Sequence, residues 1–324
     1  MSSANNTLLA DCLLSLNASE IEHSMPPDWD TGGFGFSVFA RTFKYAPLLL
    51  VDGCVLPFSY LKTFDNSQSN HSNQFYHSNH SYHSNRIPLM VGVTRQESDF
   101  SPQDDVRNMS VAAFSNFIVS KIQPWYGTSF ANKVVDLYVN ATTTNTATDQ
   151  YFDPQRIYSE IVTDATILCP NAYLAAKWQS ASSNALYFYV TTQRLQNPFC
   201  VLQPFNAFRP PYCPLYSFHA VDMFSWIAPA FDEDKFNYTF TKRDSDFGQR
   251  IQSRFVEFAN NGSVQSWKNF SSPTPPGSFR VDGLPLQYQV VDMKTDDESV
   301  RNLFADRCSF WLKHKFYETK GLIN

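Results

Sequence analysis

Apolar residues run without alternation through Pro88-Leu89-Met90-Val91-Gly92-Val93 and again through Ala185-Leu186-Tyr187-Phe188-Tyr189-Val190. An unbroken run of this length predicts a strand covered on both faces, as in a parallel sheet, whereas an exposed face would impose a period of two. A further strand is predicted over 48–51, closed by the turn Asp52-Gly53. Other stretches have the spacing of helices. Ile157, Ile161, Ala165 and Leu168 share one face behind Asp153-Pro154, where Asp suits the cap and Pro the first turn; Pro170 is expected to kink or break that helix. Phe247, Ile251, Phe255 and Phe258 share another face, up to the stop signal Asn260-Asn261-Gly262. Val300, Leu303, Phe304, Cys308 and Trp311 predict a last helix over about 297–315. Two short helices are expected near the start, one over 8–16 and one behind the cap-like Ser19-Glu20. The class is α/β, with too few strands for a complete doubly wound domain.

One stretch has no such pattern. Residues 64–85 are built on His-Ser-Asn repeats and hold four of the seven histidines: His71, His77, His80 and His83. Ser and Asn are poor helix formers, and no Cys or carboxylate completes a ligand set, so the segment reads as a surface loop and no metal site is expected. The rest of the composition is that of a folded globule: 324 residues, 43% apolar, with 29 Phe and 16 Tyr. A net charge of −5 without a basic stripe excludes a nucleic-acid partner, and no apolar run is long enough to span a membrane. The first residues lack the basic start and apolar segment of a signal peptide. Yet nine Asn-x-Ser/Thr acceptors occur, at Asn5, Asn17, Asn70, Asn79, Asn108, Asn140, Asn237, Asn261 and Asn269, where chance gives roughly four. The six cysteines are an even number, as disulfides require. A secreted, extracellular or ER-lumen protein is expected, with a segment missing from its front. Cys200 and Cys213 flank a Pro-rich loop and are candidates for a pair, with the pairing left open.

The candidate chemistry lies just past the first apolar run and well beyond the second. Glu97 closes Val91-Gly92-Val93-Thr94-Arg95-Gln96-Glu97, and His219 stands in Tyr216-Ser217-Phe218-His219-Ala220-Val221-Asp222. A carboxylate followed by a histidine is the latter part of the chain order Ser, Asp or Glu, His of α/β-hydrolase triads. The nucleophile is missing: none of the eleven glycines opens a Gly-x-Ser-x-Gly elbow. Gly35-Phe36-Ser37-Val38-Phe39 lacks the closing Gly, and Gly127-Thr128-Ser129-Phe130-Ala131 follows Glu97 instead of preceding it.

The chain resembles the carboxy-terminal portion of the type-B carboxylesterase/cholinesterase family. The resemblance rests on blocks in the family's order: Leu9-Ala10-Asp11-Cys12-Leu13-Leu14, Leu50-Val51-Asp52-Gly53 with Leu56-Pro57, the run ending at Glu97, the strand around Tyr187, His219-Ala220-Val221-Asp222, Phe258-Ala259-Asn260-Asn261-Gly262 and Cys308-Ser309-Phe310-Trp311. It implies an incomplete α/β-hydrolase fold, the C-terminal part of the central sheet with flanking helices, as one partial domain over 1–324 with an insert at about 64–85. It implies Glu97 as triad acid, His219 as general base and Asp222 as a buried carboxylate behind them, with the Ser elbow and oxyanion loop upstream of Cys12. It also implies a disulfide between Cys169 and Cys308, and a partner for Cys12 ahead of Met1; Cys54 is left unassigned. The substrate implied for a complete protein is a small-molecule ester, with no cofactor, and some members dimerise through C-terminal helices, which sets the expectation of a homodimer. As it stands, the chain is expected to be inactive on esters. The alternative is a non-catalytic, cholinesterase-like surface-binding or adhesion protein. Two departures bear on the site: Ser98 and Ala220 stand where the family usually has Gly, which matters if the backbone there needs a positive φ. Phe224 and Trp226 follow His219 and are expected to pack in the core.

Overall fold

A computed structural model describes residues 11, 15–17, 19–20, 87–141, 152–181, 184–200, 211–227, 238–270, 280–281, 284–285, 287–291, 298–301 and 304–314. The chain divides into two compact units, residues 1–33 with 42–50 and residues 34–41 with 51–324. In the first, Asp11 and Ser15 are helical, within the predicted 8–16 helix. The next helix begins earlier than expected. Asn17 Oδ1 accepts the Glu20 N–H and the Glu20 carboxylate accepts the Asn17 N–H, each at 2.9 Å. This reciprocal box satisfies two otherwise unpaired donors, so Asn17 and not Ser19 is the cap. The strand predicted over 48–51, the 64–85 insert, Cys12 and Cys54 lie outside the described residues.

The second unit is organised by strands β1 (Leu89–Thr94) and β2 (Leu186–Thr191), parallel and in register from Leu89 opposite Leu186 to Thr94 opposite Thr191. These are the two apolar runs, each displaced by one residue from its predicted start. β2 is buried at every position, because it is covered on both faces. Leu186, Phe188 and Val190 face one core and Tyr187 and Tyr189 face another. β1 is only half-buried, and Gly92 within it is exposed. Among the described residues β1 has one strand neighbour, β2.

The first core is built by helices that come after β1 in the chain. Helix α1 (Val111–Tyr126) is capped by Ser110, whose hydroxyl accepts the Ala113 N–H at 3.2 Å, and buries Phe114, Ile118 and Ile122 at four-residue spacing. Gly127, at φ 80°, turns the chain into α2 (Thr128–Val135). Helix α3 (Pro154–Thr163) opens where predicted, with the Asp153 carboxylate accepting the Arg156 N–H and Pro154 in the first turn. Of the two outcomes expected at Pro170, a kink or a break, the break does not occur: the helical path continues. A π turn over Asp164–Leu168 widens the ladder just before α4 (Cys169–Ala181), and this absorbs the donor that Pro170 lacks.

The other face of β2 packs on α6 (Lys242–Asn261), which comes after α5 (Val221–Ile227). Phe247 and Ile251 are buried against Tyr187 and Tyr189, and Gly262 ends α6 at φ 66° with its N–H on the Phe258 carbonyl at 2.7 Å. Gly248 lets α6 approach the backbone of α5: a Cβ there would lie 1.9 Å from the Ser225 carbonyl oxygen.

The short hairpin strands β3 (Arg280–Val281) and β4 (Leu284–Pro285) precede β5 (Gln287–Val291), which lies parallel to β2. β6 (Glu298–Arg301) runs antiparallel to β5, giving a four-stranded sheet of order β1-β2-β5-β6. This corrects the predicted 297–315 helix. Its first turn pairs with β5 instead, and among the described residues of that span α7 (Ala305–Lys313) is the helical part, entered through Phe304 at φ 63°. Disulfides join Cys169 to Cys308, tying α7 to α4, and Cys200 to Cys213. Among the described residues no helix is long and apolar enough to cross a membrane.

Candidate functional site

The end of β1 passes into a buried 3₁₀ turn, Glu97–Asp99. Thr94 is the last strand residue, and its N–H donates to Glu97 Oε1 at 2.6 Å, folding the carboxylate back over the strand end. The other oxygen, Oε2, lies 2.7 Å from His219 Nδ1. The acid side chain is 7% exposed and the imidazole 51%, so the ring has one edge on a buried carboxylate and much of its remaining surface toward solvent. The contact raises the His219 pKa from 6.5: the Glu97 hydrogen bond is the main cause, burial opposes it, and the charges of Glu97 and Asp222 add to it.

His219 lies far along the chain from β2, so strand geometry alone does not aim it. It is held by a ladder between two loops. Gln96 N–H donates to the Ser217 carbonyl at 2.9 Å, Ser217 N–H to Gln96 Oε1 at 3.2 Å, and His219 N–H to the Glu97 carbonyl at 3.3 Å. The end of β2 joins the same ladder through the Thr191 carbonyl, which accepts the Arg95 N–H at 3.0 Å and the Ser217 hydroxyl at 2.8 Å. Beyond His219, Ala220 takes φ 63° and the chain enters α5. Ala220 therefore sits in the backbone region that favours glycine, while Ser98 does not: among described non-glycine residues only Ala220 and Phe304 have positive φ. Ser98 is buried, with its hydroxyl 3.0 Å from that of Ser159.

Asp222, in the first turn of α5, is buried. Its Oδ2 accepts the Tyr189 hydroxyl at 2.8 Å and its Oδ1 the Met223 N–H at 2.9 Å. Burial pushes its pKa up against the pull of those bonds. The Tyr189 ring reaches Asp222 because β1 has no side chain at Gly92, where a Cβ would fall 1.9 Å from the Tyr189 ring. Phe224 and Trp226 pack inward, Phe224 against Phe199 and Phe218, and Trp226 stacked on Phe255 at 5.3 Å. Cys169 and Cys308 are bonded to each other and buried in the first core.

Two groups of residues that sequence reasoning missed complete the surroundings. Asp99, fully buried, accepts four hydrogen bonds: from the Tyr212 hydroxyl and Gln155 Nε2, each at 2.7 Å, and from the Leu215 and Tyr216 N–H groups at 2.8 and 2.9 Å. Its donors stand 56 to 117 positions away, and an acid two residues past Glu97 carries no signal of that in sequence. Arg95 is the hub of the second group. It pairs with Asp164 at 2.8 Å and Glu160 at 3.2 Å and lies over the Phe304 ring, while Arg307 donates to Glu160 at 2.7 Å. Asp164 also accepts the Tyr138 hydroxyl, which in turn accepts from Trp311 Nε1, each at 2.8 Å. Four charges are thus compensated beneath the turn that carries Glu97.

The arrangement holds one imidazole nitrogen on a buried carboxylate while half of the ring faces outward, as a general base requires. A model of the carboxylesterase family matches residues 2–311. None of the curated proteins matches the chain.

Proposed function

Because the chain belongs to the carboxylesterase family, an α/β-hydrolase family, we propose that Glu97 and His219 are the acid and base of a serine-type carboxylic-ester hydrolase whose nucleophile lies outside this sequence. The 2.7 Å contact between His219 Nδ1 and the buried Glu97 carboxylate carries this reading. With Nδ1 engaged, Nε2 is the nitrogen that takes the proton of a serine hydroxyl as its oxygen attacks the ester carbonyl. The same proton is returned to the departing alkoxide, leaving an acyl-enzyme. Water, deprotonated by the same nitrogen, attacks the acyl carbon; the acyl–serine bond breaks, the proton passes to the serine oxygen, and the carboxylic acid leaves. Glu97 holds the tautomer and stabilises the imidazolium formed in each half.

No Gly-x-Ser-x-Gly elbow occurs in the 324 residues, so the chain contributes proton transfer without a nucleophile. The half-buried β1, with its exposed Gly92, supports the view that the family's sheet continues beyond the strands described. Two disulfides suit an oxidising, secretory compartment, and acceptors Asn108, Asn140 and Asn261 are exposed, as glycosylation needs.

Two measurements on the purified chain test this. Incubated with a p-nitrophenyl ester, it gives no turnover that His219→Ala removes; such turnover would place a nucleophile within this sequence. In an NMR titration, His219 has a midpoint above 6.5, and Glu97→Gln lowers it. An unchanged midpoint in Glu97→Gln would overturn the pairing itself.

A further inference from the structure

The segment ending in His219 is not part of a strand or helix, yet its imidazole must stay on Glu97 for the pair to act. We propose that Asp99 is a positioning residue for that pair: its buried carboxylate clamps the 212–216 segment to the turn carrying Glu97 and so sets the contact between His219 and Glu97. This rests on the reading of Glu97 and His219 as acid and base.

The geometry supports it at both ends. Asp99 closes the same 3₁₀ turn that Glu97 opens, so its backbone position is fixed relative to the acid. Oδ1 takes the Tyr212 hydroxyl and Gln155 Nε2, and Oδ2 takes the consecutive N–H groups of Leu215 and Tyr216, so both oxygens are occupied. The two N–H bonds fix the backbone direction of the segment three residues before His219. Gln155, from α3, donates a second bond to the Cys213 carbonyl at 3.2 Å, and the disulfide from Cys213 to Cys200 holds the segment on its other side. Arg107 donates to the Pro211 carbonyl at 3.0 Å and lies over the Tyr212 ring, and the Tyr216 hydroxyl donates to Asp153. Burial raises the pKa of Asp99, and its four donors pull against that rise without cancelling it. A carboxylate kept in such a site at that cost needs donors in one arrangement, which is what defines a clamp. Glu97 and Asp222 raise the His219 pKa by hydrogen bond and charge, whereas Asp99 is tied to His219 through the backbone of Leu215 and Tyr216.

The test compares four full-length chains: native, Asp99→Asn, Tyr212→Phe and Glu97→Gln. Tyr212→Phe removes one donor without changing any charge, which separates positioning from electrostatics and serves if Asp99→Asn fails to fold. The readouts are the deshielded Nδ1–H resonance of His219, its titration midpoint, and a thermal melt. The native chain is expected to show the resonance and Glu97→Gln to lose it. Asp99→Asn should lose or broaden it and lower the midpoint, with Tyr212→Phe intermediate on both. If folded Asp99→Asn or Tyr212→Phe keeps the native resonance and midpoint, and Glu97→Gln does not, the clamp is wrong and the pair stands. If Glu97→Gln also keeps them, it is the acid–base reading that fails.

Discussion

Immediately after His219 the backbone turns left-handed, at Ala220. That region costs an L-residue about 1–2 kcal/mol, which outweighs the roughly 0.4–1 kcal/mol by which a glycine's freer unfolded chain counts against it. Ala220→Gly is therefore expected to stabilise the chain by up to about 1 kcal/mol in a denaturant melt, with the His219 titration midpoint unmoved. A destabilised Ala220→Gly would mean that the alanine methyl packs better than its backbone suffers. Ser98, the other departure from the family's glycines, avoids a positive φ and finds Ser159, so the same substitution has no such rationale there. At this scale the sequence is informative about the candidate acid and base and silent about their keepers. Glu97 and His219 are legible because their flanking blocks stand in family order; Asp99 and Arg95 are not, because their partners are brought together only by folding.

Elements announce themselves in proportion to their own periodicity. The spacing of Phe247, Ile251, Phe255 and Phe258, with Gly262 behind them, gives α6 its face and its end, since amphipathicity and a left-handed C-cap are local properties. The spacing through Val300 and Leu303 misleads, because a backbone ladder with β5 outweighs helical periodicity over Glu298–Arg301. α1 shows the converse: its face of Phe114, Ile118 and Ile122 is present in the sequence without having been predicted. Helix pairing depends on something less visible still. Gly248 admits the backbone of α5, and a Cβ there would meet the Ser225 carbonyl at 1.9 Å, a main-chain atom that cannot rotate aside. Gly248→Ala should cost about 2–3 kcal/mol, as overpacking does, and should shift α5 together with Asp222. Near-UV circular dichroism and a melt would check it; a stability within about 0.5 kcal/mol of native, the range of neutral surface changes, would show that the two helices separate freely.

Across the whole molecule, buried charge dictates the response to acid. Burial alone would raise Glu160, but Arg95 and then Arg307 outweigh it and bring it from 4.5 down to about 2. A carboxylate whose folded pKa is depressed contributes stability above its unfolded pKa and loses it as pH falls through the folded value. The contribution of Glu160 is thus present above about pH 4.5 and vanishes toward pH 2. Asp99 and Asp222, with raised pKa values, act in the opposite sense and soften the loss. In melts from pH 7 to 2, Glu160→Gln should be less stable than native at neutral pH, and the two curves should converge as pH approaches 2. Parallel curves would remove Glu160 from the account. The disulfide between Cys169 and Cys308, 139 residues apart, constrains the unfolded chain by about 5 kcal/mol in the chain-entropy treatment and survives this titration.

By itself the sequence determined the α/β class, the two strands, the faces of α3 and α6, the family and the candidate acid and base. These come from local periodicity, capping and block order, which need no third dimension. Tertiary structure alone decided the rest: that the start of the last predicted helix becomes a strand, that Ala220 is left-handed, and that Asp99 fastens one loop to another. The strand needs β5 opposite it, and the clamp joins residues 56 to 117 positions apart. The energy of a hydrogen bond or a buried charge is fixed by who stands opposite, which no run of neighbouring residues records.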